Sequence, residues 1–311
     1  MRRALLGLVA LAASANVHAA PHHAVVRQRT SETKPTQPPP PPMLAGDQYL
    51  FGSAEASALT REVWRSLVDY AAEALKAQGN ARRSVVLARG ATLDKPSFVP
   101  CGDKPPAAVF DVDETVLLNL GAEYDTLVND RYIFDDDVWN RWEQTGYDKV
   151  APSPGAKEAL DKLRAMGVTV IFSTNRSARN AQYAERALND AGLGPAVHGR
   201  NLFLSGDDPT GSLKDTRRWA IADRYCVLAM AGDQLGDLSD RFNSDYQRMS
   251  ERRELAALPA VQALWGNGWF VFPNPVYGSA IQGGADDIFP TDKQWRDPGP
   301  QTKAAAERGS R

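Results

Sequence analysis

Hydrophobic positions along this chain follow two rhythms. Short, nearly unbroken apolar runs occur at Ala107 to Phe110, Val168 to Phe172, Asn201 to Leu204, Cys226 to Ala231 and Gly268 to Phe272. Runs of that length, bounded by proline, glycine or charge, are what strands buried on both faces look like. Between them the apolar residues recur at helical spacing. Leu59, Val63, Leu67, Tyr70, Ala71, Ala74 and Leu75, with Trp64 and Val68 widening the stripe, predict a helix over Ser57 to Lys76, with Gly79 as its stop signal. Pro154-Gly155 opens a helix to about Met166, and further helices are predicted over Ser177 to Ala191 and in the stretch 213–225. Strands alternating with helices predict an α/β fold, a three-layer doubly wound parallel sheet with right-handed crossovers and a smaller α-rich cap.

The first strand ends on acid. Asp111 and Asp113 follow Phe110, and if strand geometry persists to the tip both carboxylates leave the backbone on the same side. The carboxyl end of a buried strand faces the crevice where open α/β sheets bind ligands. Carboxylates this close repel and need a cation, a shared proton or water, and a hard divalent cation such as Mg²⁺ is the simplest partner. A plainer reading makes Asp-Val-Asp-Glu-Thr a polar loop that caps the next helix through Thr115. The run Cys226 to Ala231 ends in the same way, on Gly232-Asp233-Gln234-Leu235-Gly236-Asp237.

The stretch VFDVDETVLLN resembles the first motif of the haloacid dehalogenase (HAD) superfamily in its phosphatase form. It is most similar to the class C bacterial acid phosphatases, a secreted group that includes outer-membrane lipoprotein nucleotidases. The resemblance implies an HAD-like fold and an Mg²⁺-dependent phosphomonoesterase with an acidic optimum, 5'-nucleotides being the expected substrates. It implies that Asp111 is the nucleophile and Asp113 the general acid and base. Thr174, in Ser173-Thr174-Asn175-Arg176, matches the second motif and would donate to a phosphoryl oxygen, with Asn175 beside it on the substrate. Lys214 matches the third motif, although Arg217 and Arg218 next to it also suit a solvated face. In the fourth motif, G-D-x-x-x-D, Asp233 binds the metal and Asp237 orients its water or the lysine. The metal set is thus Asp111, the backbone carbonyl of Asp113, Asp233 and Asp237. The segment Pro273 to Ser279 resembles the C-terminal signature of the group, where Tyr277 would be one face of a base-stacking clamp and Phe134 the other.

The aromatic and acidic stretch from Leu120 to Val150 follows the first motif, where this superfamily places specificity elements. Tyr124, Tyr132, Phe134, Trp139, Trp142 and Tyr147 there read either as a wall over the phosphate site, with Trp139 on the substrate, or as a small satellite core. Cap elements are therefore expected near 50–80 and 120–150, within a phosphatase domain spanning 46–280.

Composition narrows the remainder. With 311 residues and a net charge of −2, the composition argues against a nucleic-acid polymer as partner, and the resemblance implies a small-molecule phosphomonoester. Residues 1–20, with Arg2 and Arg3 before an apolar run too short to span a bilayer, read as a signal peptide. With no transmembrane segment and no lipidation cysteine near the cleavage position, a periplasmic or secreted protein is expected. Residues 21–45, ending in the run Pro38 to Pro42, read as a proline-rich tether, and 281–311 as a C-terminal arm of low apolar content. The two cysteines, Cys101 and Cys226, lie upstream of Asp111 and Asp233. If both aspartates mark tips of neighbouring parallel strands, the cysteines sit at the opposite ends and within reach of a disulfide. Of four histidines, only His198 falls outside the leader and tether, which leaves no multi-histidine zinc site and makes His198 the sole candidate for a Ser-His-Asp triad. Two other functions remain open at this stage: a phosphotransferase using the same site, and a non-catalytic storage or binding member, whose hallmark would be loss of Asp111.

Overall fold

Proline at position 42 suits the first turn of a helix, where its missing N–H has no partner to lose. The computed structural model, which describes residues 42–77, 82–243 and 248–297, starts there with α1 (Pro42–Gly52). That helix begins inside the span assigned above to the tether; the signal peptide, most of the tether and Gly79 lie outside the described residues, as do 298–311 of the arm. Ser53 caps α2 (Ala54–Ala74) by accepting from the Ala56 N–H at 3.0 Å. The face that α2 buries is Ala56, Thr60, Trp64, Leu67 and Ala71, rotated from the predicted stripe so that Leu59 is 43% exposed. Trp64 decides the rotation. Its ring lies 5.4 Å from Phe110 and 4.7 Å from Phe272, and its indole N–H donates to Ser153 Oγ at 3.2 Å, so the largest side chain takes the sheet-facing position and satisfies its polar atom there.

A short hairpin, β1 (Arg83–Leu87) and β2 (Phe98–Pro100), precedes the central strand β3 (Pro106–Phe110). After β3 come β4 (Leu117–Leu118), α3 (Leu120–Val128), α4 (Asp136–Thr145) and β5 (Ala151–Pro152), in which β4 and β5 pair antiparallel at the root of the insertion. Within the insertion the half-buried Trp142 indole lies where a Cβ on Gly121 or Gly146 would be, within 2.8 Å and 2.0 Å respectively, so both glycines are needed for its packing. The chain then alternates as predicted through α5 (Ala156–Ala165), β6 (Thr169–Ser177), α6 (Ala181–Asp190), β7 (Leu202–Ser205), α7 (Asp215–Arg224), β8 (Cys226–Gly232), α8 (Met249–Ala256) and β9 (Trp269–Val271).

Five parallel strands form the sheet in the order β7-β6-β3-β8-β9. Alternate side chains of β3 feed the two faces. Ala108 and Phe110 join a core with α2, α5 and α6, while Ala107 and Val109 join one with α7, the hairpin strand β1 and Trp269. Strand order reverses between β3 and β8, so the crevice outside their carboxyl ends is the switch point at which such sheets bind ligands. At the other ends of these strands Pro106 pairs with Cys226, and Cys226 is disulfide-bonded to Cys101 with a Cα–Cα distance of 4.6 Å. Among the described residues no helix is long and apolar enough to cross a membrane. The arm is described as far as residue 297 and contains two short helical turns, Ala285–Ile288 and Thr291–Lys293.

Candidate active site

Three carboxylates converge at the switch point. Asp111 leaves β3, Asp233 leaves β8, and Asp237 returns from the turn after it; one oxygen of each lies within 4.8 Å of the others. Gly232 makes the return possible, because a Cβ there would stand 2.3 Å from the Asp237 side chain. The Lys214 ammonium, just ahead of α7, donates to Asp111, to Asp237 at 2.6 Å and to the Ser173 carbonyl at 3.1 Å. Asp233 is held by Asn274 at 2.8 Å and Gln234 at 2.9 Å, and Thr115 donates to its other oxygen at 3.3 Å, so the hydroxyl that the plainer reading made a helix cap faces the site.

One ammonium cannot balance three buried carboxylates. Burial first, and then the charges of Asp237, Asp233 and Asp113, push the Asp111 carboxyl well above its ordinary value against the pull of Lys214. Burial and Asp237 likewise raise Asp233 to about 6, with the Asn274 and Gln234 hydrogen bonds opposing. For Lys214, burial is outweighed by Asp111 and Asp237, which hold its pKa above the usual lysine value. A surplus of negative charge on hard oxygen donors is the environment that a divalent cation such as Mg²⁺ fits.

Asp113 does not join this cluster with its carboxylate. Arg176, 1% exposed, grips it from Nε at 2.9 Å and Nη2 at 2.7 Å, while Asn119 donates at 2.9 Å and Thr174 Oγ1 at 3.3 Å. Burial works to raise the Asp113 pKa, but the Arg176 charge, the hydrogen bonds and Lys214 prevail and lower it. Between Asp113 and Thr115 the chain passes through Glu114 at φ 52°, a left-handed conformation uncommon outside glycine. Asn119 holds the Glu114 carboxylate from its backbone N–H at 2.9 Å and its amide at 3.2 Å, and the Tyr277 hydroxyl donates to the same group.

A cavity of about 1140 Å³ opens from the acidic cluster and is lined by Asp111, Asp113, Phe134, Trp139, Asn175 and Tyr277 among others. Phe134, 71% exposed, has its ring 6.2 Å from Trp139. Its ring neighbour is therefore Trp139, and Tyr277, 36% exposed, spends its hydroxyl on Glu114. Trp139 is fixed in turn: its indole N–H donates at 3.0 Å to buried Glu143, which also accepts from the Ser177 N–H and from Asn180 at 2.6 Å and so fastens α4 to the end of β6. Asn175 lines the cavity with its side-chain oxygen accepting from Arg217 at 2.8 Å. His198 is not among the residues lining the cavity and forms an exposed pair with Asp207 at 2.7 Å.

Sequence reasoning assigned no role to Arg176, Asn119, Glu114, Glu143, Gln234 or Asn274. Each of them but Glu143 stands inside a stretch singled out by its motif, with Glu114 and Asn119 in VFDVDETVLLN, Arg176 after Asn175, Gln234 after Asp233 and Asn274 after Pro273. The solvated face suggested for Arg217 and Arg218 is corrected: both are buried, because loop carbonyls and carboxylates around α7 take up their donors.

No curated protein sequence matches the chain closely enough to count as a relative. Among solved structures it is similar to the class C acid phosphatase from Bacillus anthracis, at 21% identity and a TM-score of 0.60, over 76% of this chain and 86% of that one. The tungstate-bound form of the same enzyme matches at 20% identity and 0.60, over 79% and 93%. Those likenesses bear on the fold. The family is settled by residues 53–280, which match the model for HAD superfamily, subfamily IIIB (Acid phosphatase), and the chain belongs to that family of phosphomonoesterases.

Proposed function

We propose that the protein is an Mg²⁺-dependent acid phosphatase that hydrolyses phosphate monoesters, 5'-nucleotides among them, through an aspartyl-phosphate on Asp111. The observation that carries this reading is the Lys214 ammonium set between Asp111 and Asp237, with Asp233 completing the cluster at the mouth of a cavity.

Asp111, Asp233 and Asp237 would hold the cation with the backbone carbonyl of Asp113; when bound, Mg²⁺ supplies positive charge that offsets the carboxylates and the phosphoryl oxygens. Asp111 forms an Oδ–P bond as the P–O bond to the leaving alcohol breaks, dividing one slow hydrolysis into two easier steps. Asp113 gives its proton to the departing alkoxide, then takes one from the water that cleaves the aspartyl-phosphate and frees orthophosphate. Lys214 stabilises the charge on Asp111 and on the transferring group. Thr174 would donate to a phosphoryl oxygen by releasing Asp113. The lowered pKa of Asp113 supports an acidic optimum, because the general acid holds its proton only at low pH. Phe134 and Trp139 on the cavity wall support an aromatic leaving group. The Cys101–Cys226 bond supports an oxidising compartment, periplasmic or extracellular, consistent with residues 1–20 acting as a signal peptide.

The test is phosphate release from AMP and p-nitrophenyl phosphate, with Mg²⁺ or with chelator, by the parent and Asp111→Asn. We expect turnover to need the metal and to fall by at least about 10³-fold in the variant. Turnover by Asp111→Asn near the parent's removes the nucleophile assignment, and phosphate transfer to an added nucleoside in preference to water makes the protein a phosphotransferase.

A further inference from the structure

Arg217 and Arg218 are consecutive on α7, at 2% and 1% exposure. Neighbouring side chains leave a helix about 100° apart, so the two guanidiniums reach different flanks of the strand tips. Arg217 donates to the Thr174 carbonyl at 2.5 Å, to Asn175 Oδ1 at 2.8 Å and to the carbonyls of Leu213 at 3.0 Å and Gly211 at 3.1 Å; its Nε lies 3.4 Å from Asp208. Arg218 donates to the carbonyls of Gly236 and Asp237, each at 2.9 Å, and to the carboxylates of Asp215 at 2.6 Å and Asp240 at 2.9 Å. Asp240 in turn accepts from the backbone N–H groups of Lys214 at 2.8 Å and Asp215 at 2.7 Å.

The acceptors are what matter. They are mainly main-chain carbonyls of three segments, the irregular end of β6, the loop ahead of α7 and the turn after β8, which carry Thr174, Lys214 and Asp237 respectively. A planar fork with five donors on three nitrogens can reach acceptors spread over separate segments, whereas a lysine in the same place has three donors on a single nitrogen. Both residues thus fasten to Lys214's segment, but each adds a different far partner.

We propose that Arg217 and Arg218 are positioning residues with divided tasks. Arg217 sets the anion-binding side, Thr174 and Asn175, against Lys214, and Arg218 sets the cation-binding side by holding the backbone at Asp237. The proposal rests on the site reading given above.

The experiment uses the full chain and the variants Arg217→Met, Arg217→Lys, Arg218→Met and Arg218→Lys, each checked by near-ultraviolet circular dichroism and melting. Thermal shifts are titrated with Mg²⁺ alone and with inorganic phosphate alone, beside kcat and KM for p-nitrophenyl phosphate. Arg217→Met is expected to weaken phosphate and raise KM about 10-fold while leaving Mg²⁺ affinity within about 2-fold of the parent. Arg218→Met is expected to weaken Mg²⁺ about 10- to 100-fold, as loss of a residue supporting a metal ligand does, with phosphate changed within about 2-fold. The lysine variants should show the same crossed pattern at smaller amplitude, and they decide the matter wherever a methionine variant does not fold. Equal changes in both ligands for both positions, or no change in either, overturn the division of tasks. A parent protein that binds neither Mg²⁺ nor phosphate overturns the site reading itself.

Discussion

Reducing the Cys101–Cys226 bond opens a loop that spans a sequence separation of 125 residues. On the chain-entropy model, a cross-link over that length restrains the unfolded chain by about 5 kcal/mol at 25 °C. Total stabilities of natural domains run from about 5 to 15 kcal/mol, so this one bond is a large share. It lies at the amino ends of β3 and β8, whereas the acidic cluster lies at their carboxyl ends. The seven residues of β8, at about 3.3 Å each, put more than ~20 Å between the sulfurs and Asp233. Stability and activity should therefore separate. Urea unfolding followed by tryptophan fluorescence, with and without reductant, is expected to lose roughly 2 M from its midpoint for a slope of about 2–3 kcal/mol/M, while kcat in native buffer changes less than about 2-fold. An unchanged midpoint after thiol titration has shown the bond to be open refutes the entropy argument. A fall in kcat without denaturant refutes the separation.

Three further outcomes are expected. Asp113 must be protonated to serve as an acid, and Arg176 holds its carboxyl below the ordinary value; activity then declines as pH rises, and Arg176→Met should move that falling limb of the kcat profile to higher pH, not lower. Glu123, in the cavity wall, is raised from 4.5 to about 7 by burial and then by Asp47. Its contribution to stability is full below pH 4.5 and is lost as pH climbs through 7, so Glu123→Gln should flatten the stability profile across that window by about 2 kcal/mol after discounting for partial exposure; a parallel profile in urea melts at several pH values would show the cause to lie elsewhere. Asn274→Ala removes a donor to Asp233 and should weaken Mg²⁺ about 10- to 100-fold in thermal-shift titrations, with unaltered affinity counting against the contact.

The central strands were readable because each is a continuous apolar run that stops abruptly on polar residues: Phe110 before Asp111, Phe172 before Ser173, Gly232 before Asp233. An acid at such a boundary announces itself, since no packing reason puts it there. The hairpin β1–β2 gave no comparable signal, with strands of five and three residues whose apolar positions are intelligible only against Trp269 on the sheet and Trp219 on α7. The stripe of α2 was legible as helical but not in its rotation, which depends on where the Trp64 indole finds Ser153 Oγ, 89 residues away in sequence.

Between Lys214 and Arg218 the chain carries three cations that read alike, because spacing alone allows any of them to face water. Their fates diverge through contacts distant in sequence. Lys214 ends the loop ahead of α7 and meets Asp111 at a strand tip and Asp237 in the turn after β8, while Arg217 and Arg218 turn to carbonyls 43 and 18 residues away. Asp111 and Asp233 stand where a charge is conspicuous, at the end of a buried strand. A residue that holds others in place can look like surface in the sequence, because its partners are main-chain oxygens, and every residue has one.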